Sequence, residues 1–251
     1  MPSANSVPST AACLRPVSAR SALLGLLLGA EVPALTAREL VAGGQIVGFT
    51  EPTVRVALSR MTSAGDLERT DEGGYRLSER LLHRQRRQAA AIHVIPKPWN
   101  GDWDMFVVTA SGRSAADRAT LRAALIDLRL AELREGVWLR PANLYLDWPT
   151  DIDTLGERLT TKTVRDPAGL AARLWDLSAW ANRARALLAA IDTSDPVMRF
   201  TACATSVRHL LDDPLLPYEL LPSDWPGSEL RQSHLEYNDW LIETRRSITR
   251  A

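Results

Sequence analysis

The sequence predicts an α+β chain, on three observations. Residues 18–92 hold three helical patterns closed by a short hairpin, and residues 93–166 mix strand runs with one amphipathic helix. Residues 167–251 show apolar stripes of helical period and no strand pattern. Residues 1–17, rich in Pro, Ser and Ala with no apolar period, read as a disordered tail. With 251 residues, 45% hydrophobic and 24% charged, the chain is long enough for one large domain or two to three small ones. That composition excludes collagenous, coiled-coil and wholly disordered readings.

In the first segment Ser18 caps a helix whose buried stripe is Leu23, Leu26, Leu27 and Ala30, ended near Gly29. After Pro33, Thr36 and Glu39 form a capping box, and Leu35, Leu40 and Val41 point inward. Gly43, Gly44 and Gly48 leave the end of this second helix open. The third helix is the best marked: Thr50 caps it, Glu51 and Pro52 fill the first turn, and Gly65 stands at its C-terminal end. Its apolar stripe is Val54, Ala57, Leu58 and Met61. DLERT and YRL, separated by Asp71-Glu72-Gly73-Gly74, then read as a hairpin. Three helices followed by a two-stranded hairpin make a winged helix-turn-helix.

Residues 78–92 continue as a helix bearing Arg80, His83, Arg84, Arg86 and Arg87, and Pro96 and Pro98 mark a boundary. WDMFVVT is a strand run, residues 114–128 an amphipathic helix, and residues 137–140 a strand after Gly136. Leu144 to Leu146, a helix at residues 153–159 and a strand at residues 161–165 complete a small α+β unit. Beyond Pro167, Leu170, Leu174, Leu177, Ala181, Ala184 and Leu188 form one long helical stripe, and residues 197–211 and 231–250 read as further helices. The segment DPLLPYELLPSDWPG, with four prolines, reads as an ordered, Leu-anchored connector.

Net charge is zero, yet residues 1–91 carry 11 cations against 8 anions while residues 166–251 carry 9 against 12, a gradient that hints at an anionic partner near the N-terminal end. Of 30 cationic side chains only Lys97 and Lys162 are Lys, which suits bidentate phosphate or guanine contacts. On the third helix the face opposite the apolar stripe bears Thr53, Arg55, Val56, Ser59, Arg60 and Thr62, with no carboxylate beyond the first turn. Major-groove readout accounts for that face. Arg55 forks onto guanine O6 and N7, Ser59 meets a base edge, and Val56 meets a thymine methyl. The alternative is a solvated helix surface. Arg60 reads as a phosphate contact or as a partner of the fold's own carboxylates, and Arg76, in the second strand of the wing, joins the DNA-facing set. Arg80, Arg84 and Arg87 share a face that touches phosphate or is simply solvated. All eight tryptophans follow residue 98, where rigid aromatics pack a core or line a pocket; Trp138, Arg140 and Trp175 are the candidate effector-pocket residues.

The chain resembles the PaaX-type transcriptional regulators, whose named member represses phenylacetate catabolism. The resemblance lies in SARSALLGLLLG, TVRVALSRMTSAGDLER and YRLSER, shared in kind by many winged helices, and in KPWNGDWDMFVV, REGVWLRPANL and DPLLPYELLPSDWPG, of which the last two are the specific ones. It implies a winged-helix DNA reader, a ferredoxin-like middle domain similar to the small CRISPR nuclease subunit Cas2, and an all-helical C-terminal domain. It also implies a homodimer that leaves its double-stranded DNA operator when an aryl- or acyl-CoA effector binds. Relatives carry Arg at the wing tip, where this chain has Asp71 and Glu72.

An enzyme is not expected. The nuclease subunit bears a metal-binding Asp at the end of its first strand, where this chain reads Thr109-Ala110-Ser111. His83, His93, His209 and His234 lack metal-ligand spacing, and Ser206 with His209 lacks a positioned acid. No phosphate loop or nucleophile elbow occurs, so no cofactor is expected. Cys13 and Cys203 read as reduced thiols. The longest apolar run, ALLGLLLGA, is far short of the roughly 18–20 residues of a membrane span, and its flanks are not those of a signal peptide, so a cytoplasmic protein is expected. The reading is therefore a ligand-responsive repressor, with a winged helix that binds protein as the alternative and a CoA-thioester enzyme disfavoured.

Overall fold

A computed structural model describes residues 17–28, 34–83, 95–163, 165–193 and 195–250. The tail (residues 1–16), Gly29, Cys13, His93 and the cations Arg84, Arg86 and Arg87 fall outside the described residues. The chain divides into two compact units: residues 1–93, 181–212 and 226–251 form one, and residues 94–180 and 213–225 the other.

In the first unit, α1 (Ala19–Leu28), α2 (Ala37–Ile46) and α3 (Glu51–Ser63) pack together over a three-stranded sheet. Its order is β1-β3-β2, from β1 (Ala34–Thr36), β2 (Leu67–Arg69) and β3 (Gly74–Leu77). This is the element order expected of a winged helix, with one strand beyond the predicted hairpin. β1 ends at the Thr36 cap and carries Leu35, inward as expected, opposite Tyr75 in an antiparallel pair that only the fold supplies. Thr36 and Glu39 form the expected capping box. Gly43 and Gly44 do not end α2; they lie inside it because its neighbours come close. A Cβ on Gly43 would lie 2.6 Å from Leu26 Cδ1, and one on Gly44 2.5 Å from Val54 Cγ2. The wing turns through Gly73 at φ +78°, with Thr70 and Gly74 closing it by a backbone bond of 3.0 Å.

Also in this unit are the later part of α6 (Leu177–Ile191), α7 (Pro196–Leu211) and α8 (Gly227–Arg250); α8 packs on α7 and α2. Phe200 and Tyr237 meet at 6.3 Å between ring centroids. The long stripe read as one helix is broken. α5 (Pro167–Leu174) ends at Trp175, whose backbone is extended, and Asp176 starts α6 by accepting from Ala179 N at 2.9 Å.

The second unit is built on an antiparallel sheet of order β5-β6-β4-β7: β4 (Asp102–Val108), β5 (Ala131–Arg134), β6 (Val137–Pro141) and β7 (Gly156–Lys162), with α4 (Ala115–Asp127) between β4 and β5. All three strand pairs are antiparallel, which is the ferredoxin-like order with the second helix reduced to a 3-10 turn at Thr150–Ile152. Residues 153–159 therefore do not form the expected helix. Gly156 to Leu159 belong to an edge strand paired with β4, and most of β7's side chains are exposed, so it shows no apolar alternation from which a strand could be read. On one face of the sheet Phe106 and Trp138 pack against Leu121 and Leu125 of α4; on the other Trp103 and Leu139 pack against Leu170 of α5 and against Leu216 and Leu220 of the connector. No helix among the described residues is long and apolar enough to cross a membrane.

Candidate nucleic-acid interface

Helix α3 is held by Val54, Leu58 and Met61, spaced i, i+4 and i+7 and buried against α1 and α2, which leaves its other side to solvent. Thr53, Arg55, Val56, Ser59 and Arg60 are exposed there, and Thr62 is half-buried. The predicted face therefore exists as one surface, but several of its polar groups are already engaged. Arg55 donates to Glu51 Oε1 through both Nε and Nη2 at 2.7 Å, so the carboxylate set aside as part of the first turn belongs to the same face. The Thr53 hydroxyl lies 2.9 Å from that of Thr50, and the Thr62 hydroxyl donates to Leu58 O at 2.9 Å. Arg76 reaches across the wing to Glu68, with Nη2 2.8 Å from Oε2. Ser59, Val56 and Arg60 make no such contact with the described residues.

Arg60 is expected to meet a phosphate or a carboxylate of the fold itself. The fold's own carboxylate, Asp66, is taken instead by Arg20 of α1 at 2.8 Å and by Arg80 at 2.8 Å. Asp66 is nearly buried, and its backbone continues the join, accepting from Ser78 N at 3.0 Å. Arg80 is thus the one described member of the Arg80, Arg84, Arg87 run, and it is spent on the fold. An open groove of about 670 Å³ runs beside α3, lined by Ser18 and Arg20 at the start of α1, by Thr53, Val56 and Arg60, and by Asp66. Of its two arginines, Arg20 is paired with Asp66, which lines the groove as well, and Arg60 has no ion-pair partner among the described residues. The tip of the wing is acidic: Asp71 and Glu72 are exposed.

Trp138 and Trp175, expected with Arg140 at an effector pocket, stand on opposite faces of the sheet. Trp138 packs with Phe106 on one face of the sheet and Trp175 with Trp103 on the other. Arg140 is fully buried on β6 and spends its donors internally: Nε on Pro141 O at 3.0 Å, and Nη2 on Asn143 Oδ1 at 2.9 Å and on Leu215 O at 3.3 Å. Nη1 reaches Leu128 O at 3.4 Å. Burial and repulsion from Arg129 push its pKa down to about 9, against the pull of Asp104 and Asp213, and the group stays protonated near neutrality. Asn143 Nδ2 adds a bond to Leu215 O at 2.9 Å, and Leu215 holds φ +52° there. The two motifs REGVWLRPANL and DPLLPYELLPSDWPG therefore meet in one buried network, a link no spacing in the sequence announces. Among the described residues no cluster of His, Cys, Asp and Glu has the arrangement of a metal site.

Three family profiles cover most of the chain: "PaaX-like protein" matches residues 15–81, "PaaX protein central Cas2-like domain" residues 96–165, and "PaaX-like protein C-terminal domain" residues 175–250. The chain is 27% identical over 215 residues to "Transcriptional repressor PaaX" of Escherichia coli (strain K12), covering 74% of this chain and 67% of that protein. Among solved structures, "Uncharacterized protein Rv0674 from Mycobacterium tuberculosis" superposes with a TM-score of 0.84 at 45% identity, over 92% of this chain and 99% of that one.

Proposed function

The chain belongs to the PaaX family, and from that premise we propose that it is a transcriptional repressor that reads operator DNA with the outer face of α3 and works in the cytoplasm. It is a regulator rather than an enzyme, in keeping with its repressor relative. The observation that carries the DNA reading is the exposed row Thr53, Arg55, Val56, Ser59 and Arg60 beside the groove at the start of α1. A helix entering the major groove presents such a row to base edges, while Arg60 at its border meets a flanking phosphate. Arg76 and Thr62 contribute less, because Glu68 and Leu58 O already hold them. A homodimer brings two such helices to a palindromic site, and an anionic aryl- or acyl-CoA thioester releases it by favouring a dimer geometry that no longer matches successive major grooves.

Footprinting the purified protein on the DNA upstream of its own gene is the test. Two protected half-sites related by a dyad are expected, with affinity that falls steeply as salt rises, since each neutralised phosphate releases counterions. Arg55→Ala is expected to relax discrimination at one base pair per half-site, at about 1–3 kcal/mol. A log-log salt slope near zero, or unchanged operator binding by Arg55→Ala, overturns the reading. The acidic wing tip and the pairing of Arg55 and Arg76 with carboxylates favour a second reading, in which this face binds a protein; absence of any protected site would select it.

A further inference from the structure

We propose that Glu51 is a specificity-determining residue of the α3 face: it aims the Arg55 guanidinium at one base and withholds it from phosphate. The inference rests on the DNA reading above and deepens it.

A guanidinium presents two paired edges, Nε with Nη2 along its side and Nη1 with Nη2 at its end. Glu51 Oε1 takes the whole side edge, with Nε and Nη2 both at 2.7 Å. What remains is the end edge, two parallel N–H groups spaced for guanine O6 and N7. The clamp sits where helix geometry keeps it. Glu51 opens α3, where the positive end of the helix favours a carboxylate, and the order Glu then Arg at i, i+4 is the favourable one. Both side chains are exposed, so water weakens the pair in the free protein; a major groove closing over it excludes that water and strengthens it. Both contacts fall on Oε1, and Oε2 has no partner among the described residues, leaving an acceptor for the amino group of an adjacent cytosine or adenine. A carboxylate at this spot also repels the sugar-phosphate backbone, so an Arg55 tied to it gains little from non-specific DNA.

An ordinary surface ion pair and a specificity clamp differ in what they do to sequence preference. Wild type, Glu51→Gln, Glu51→Ala, Arg55→Ala and the double variant Glu51→Ala/Arg55→Ala are compared on the footprinted operator, on the same operator with each base pair of a half-site replaced in turn, and on unrelated DNA. Thermal midpoints verify that each variant is folded. Glu51→Ala is expected to lose roughly tenfold in preference at the base pair read by Arg55 while binding unrelated DNA several-fold more tightly. Glu51→Gln, which keeps an acceptor oxygen, retains most of the preference, and Glu51→Ala changes nothing further at that base pair once Arg55 is Ala. The inference is overturned if Glu51→Ala shifts every DNA by the same factor, or if its loss of preference persists in the Arg55→Ala background. If Arg55→Ala loses the preference and Glu51→Ala keeps it, this inference alone falls. If wild type itself shows no preference, the DNA reading falls with it.

Discussion

Replacing Arg140 separates an effector contact from an internal staple. In Arg140→Met the chain keeps its length and loses its donors, which orphans Pro141 O, Leu128 O and Asn143 Oδ1; Leu215 O retains Asn143 Nδ2 at 2.9 Å. Pro141 O and Asn143 Oδ1 are buried and cost about 1–3 kcal/mol each when left without a partner, and the part-buried Leu128 O adds about 1, so the gross loss is about 3–7 kcal/mol. Against this stands the removed burden of a buried cation. A pKa pushed from 12.5 to about 9 corresponds to about 5 kcal/mol. The two nearly cancel, and Arg140→Met is expected to cost about 1–2 kcal/mol, as is common when a buried charge yields to an apolar side chain of similar size. Arg140→Ala adds a cavity and about 2–5 kcal/mol more. Urea unfolding followed by tryptophan fluorescence reads both, because Trp103 and Trp138 lie in the cores on either side of the sheet. A Met variant that loses more than about 4 kcal/mol, or an Ala variant no weaker than Met, refutes the reasoning.

Asp66→Ala removes the acceptor shared by Arg20 and Arg80; both arginines are exposed enough to regain water, so about 1 kcal/mol each is expected, a fall in thermal midpoint of about 4–8 °C by calorimetry. Gly44→Ala sets a methyl group 2.5 Å from Val54 Cγ2, and the overpacking of about 1–3 kcal/mol outweighs the roughly 1 kcal/mol gained in helix propensity, which a lower denaturant midpoint would verify. Cys203, buried on α7, has its thiol pushed up to about 12, so in a Cys13→Ser background a thiol reagent at pH 8 is expected to react only after unfolding. The raised value carries a sign: the unfolded thiol loses its proton from about pH 9 and the folded one does not, so this group's contribution to stability is whole below pH 9 and declines towards about pH 12. Reaction in the native state at the rate of a free thiol would refute the burial.

Some of the molecule is written locally. The ends of helix α3 were legible from Thr50, Pro52 and Gly65 because such signals act within a few residues, although the Thr50 hydroxyl meets that of Thr53 and caps no backbone N–H, and its exposed row followed from the 3.6-residue period of Val54, Leu58 and Met61. The capping boxes of α2 and α4 were legible or formed for the same reason. The family was legible because its two specific motifs are unusual strings, although their purpose was not.

Tertiary structure decided the rest, wherever a residue's state depends on a partner distant along the chain. Three-residue β1 exists only through its register with β3, and β7 only through β4, since a strand forms no hydrogen bonds within itself. Gly43 and Gly44 looked like punctuation and are spacers, because helix contact is a property of two helices. Arg140 looked like an anion hook and is a bolt, because its acceptors at Leu128 and Leu215 lie 12 and 75 residues away. Arg55 looked free and is held by Glu51, a neighbour the sequence displays at i, i+4 but whose side-chain geometry only the folded helix fixes. Local signals set the elements; the burial of charge and the pairing of strands are long-range, and folding alone chooses them.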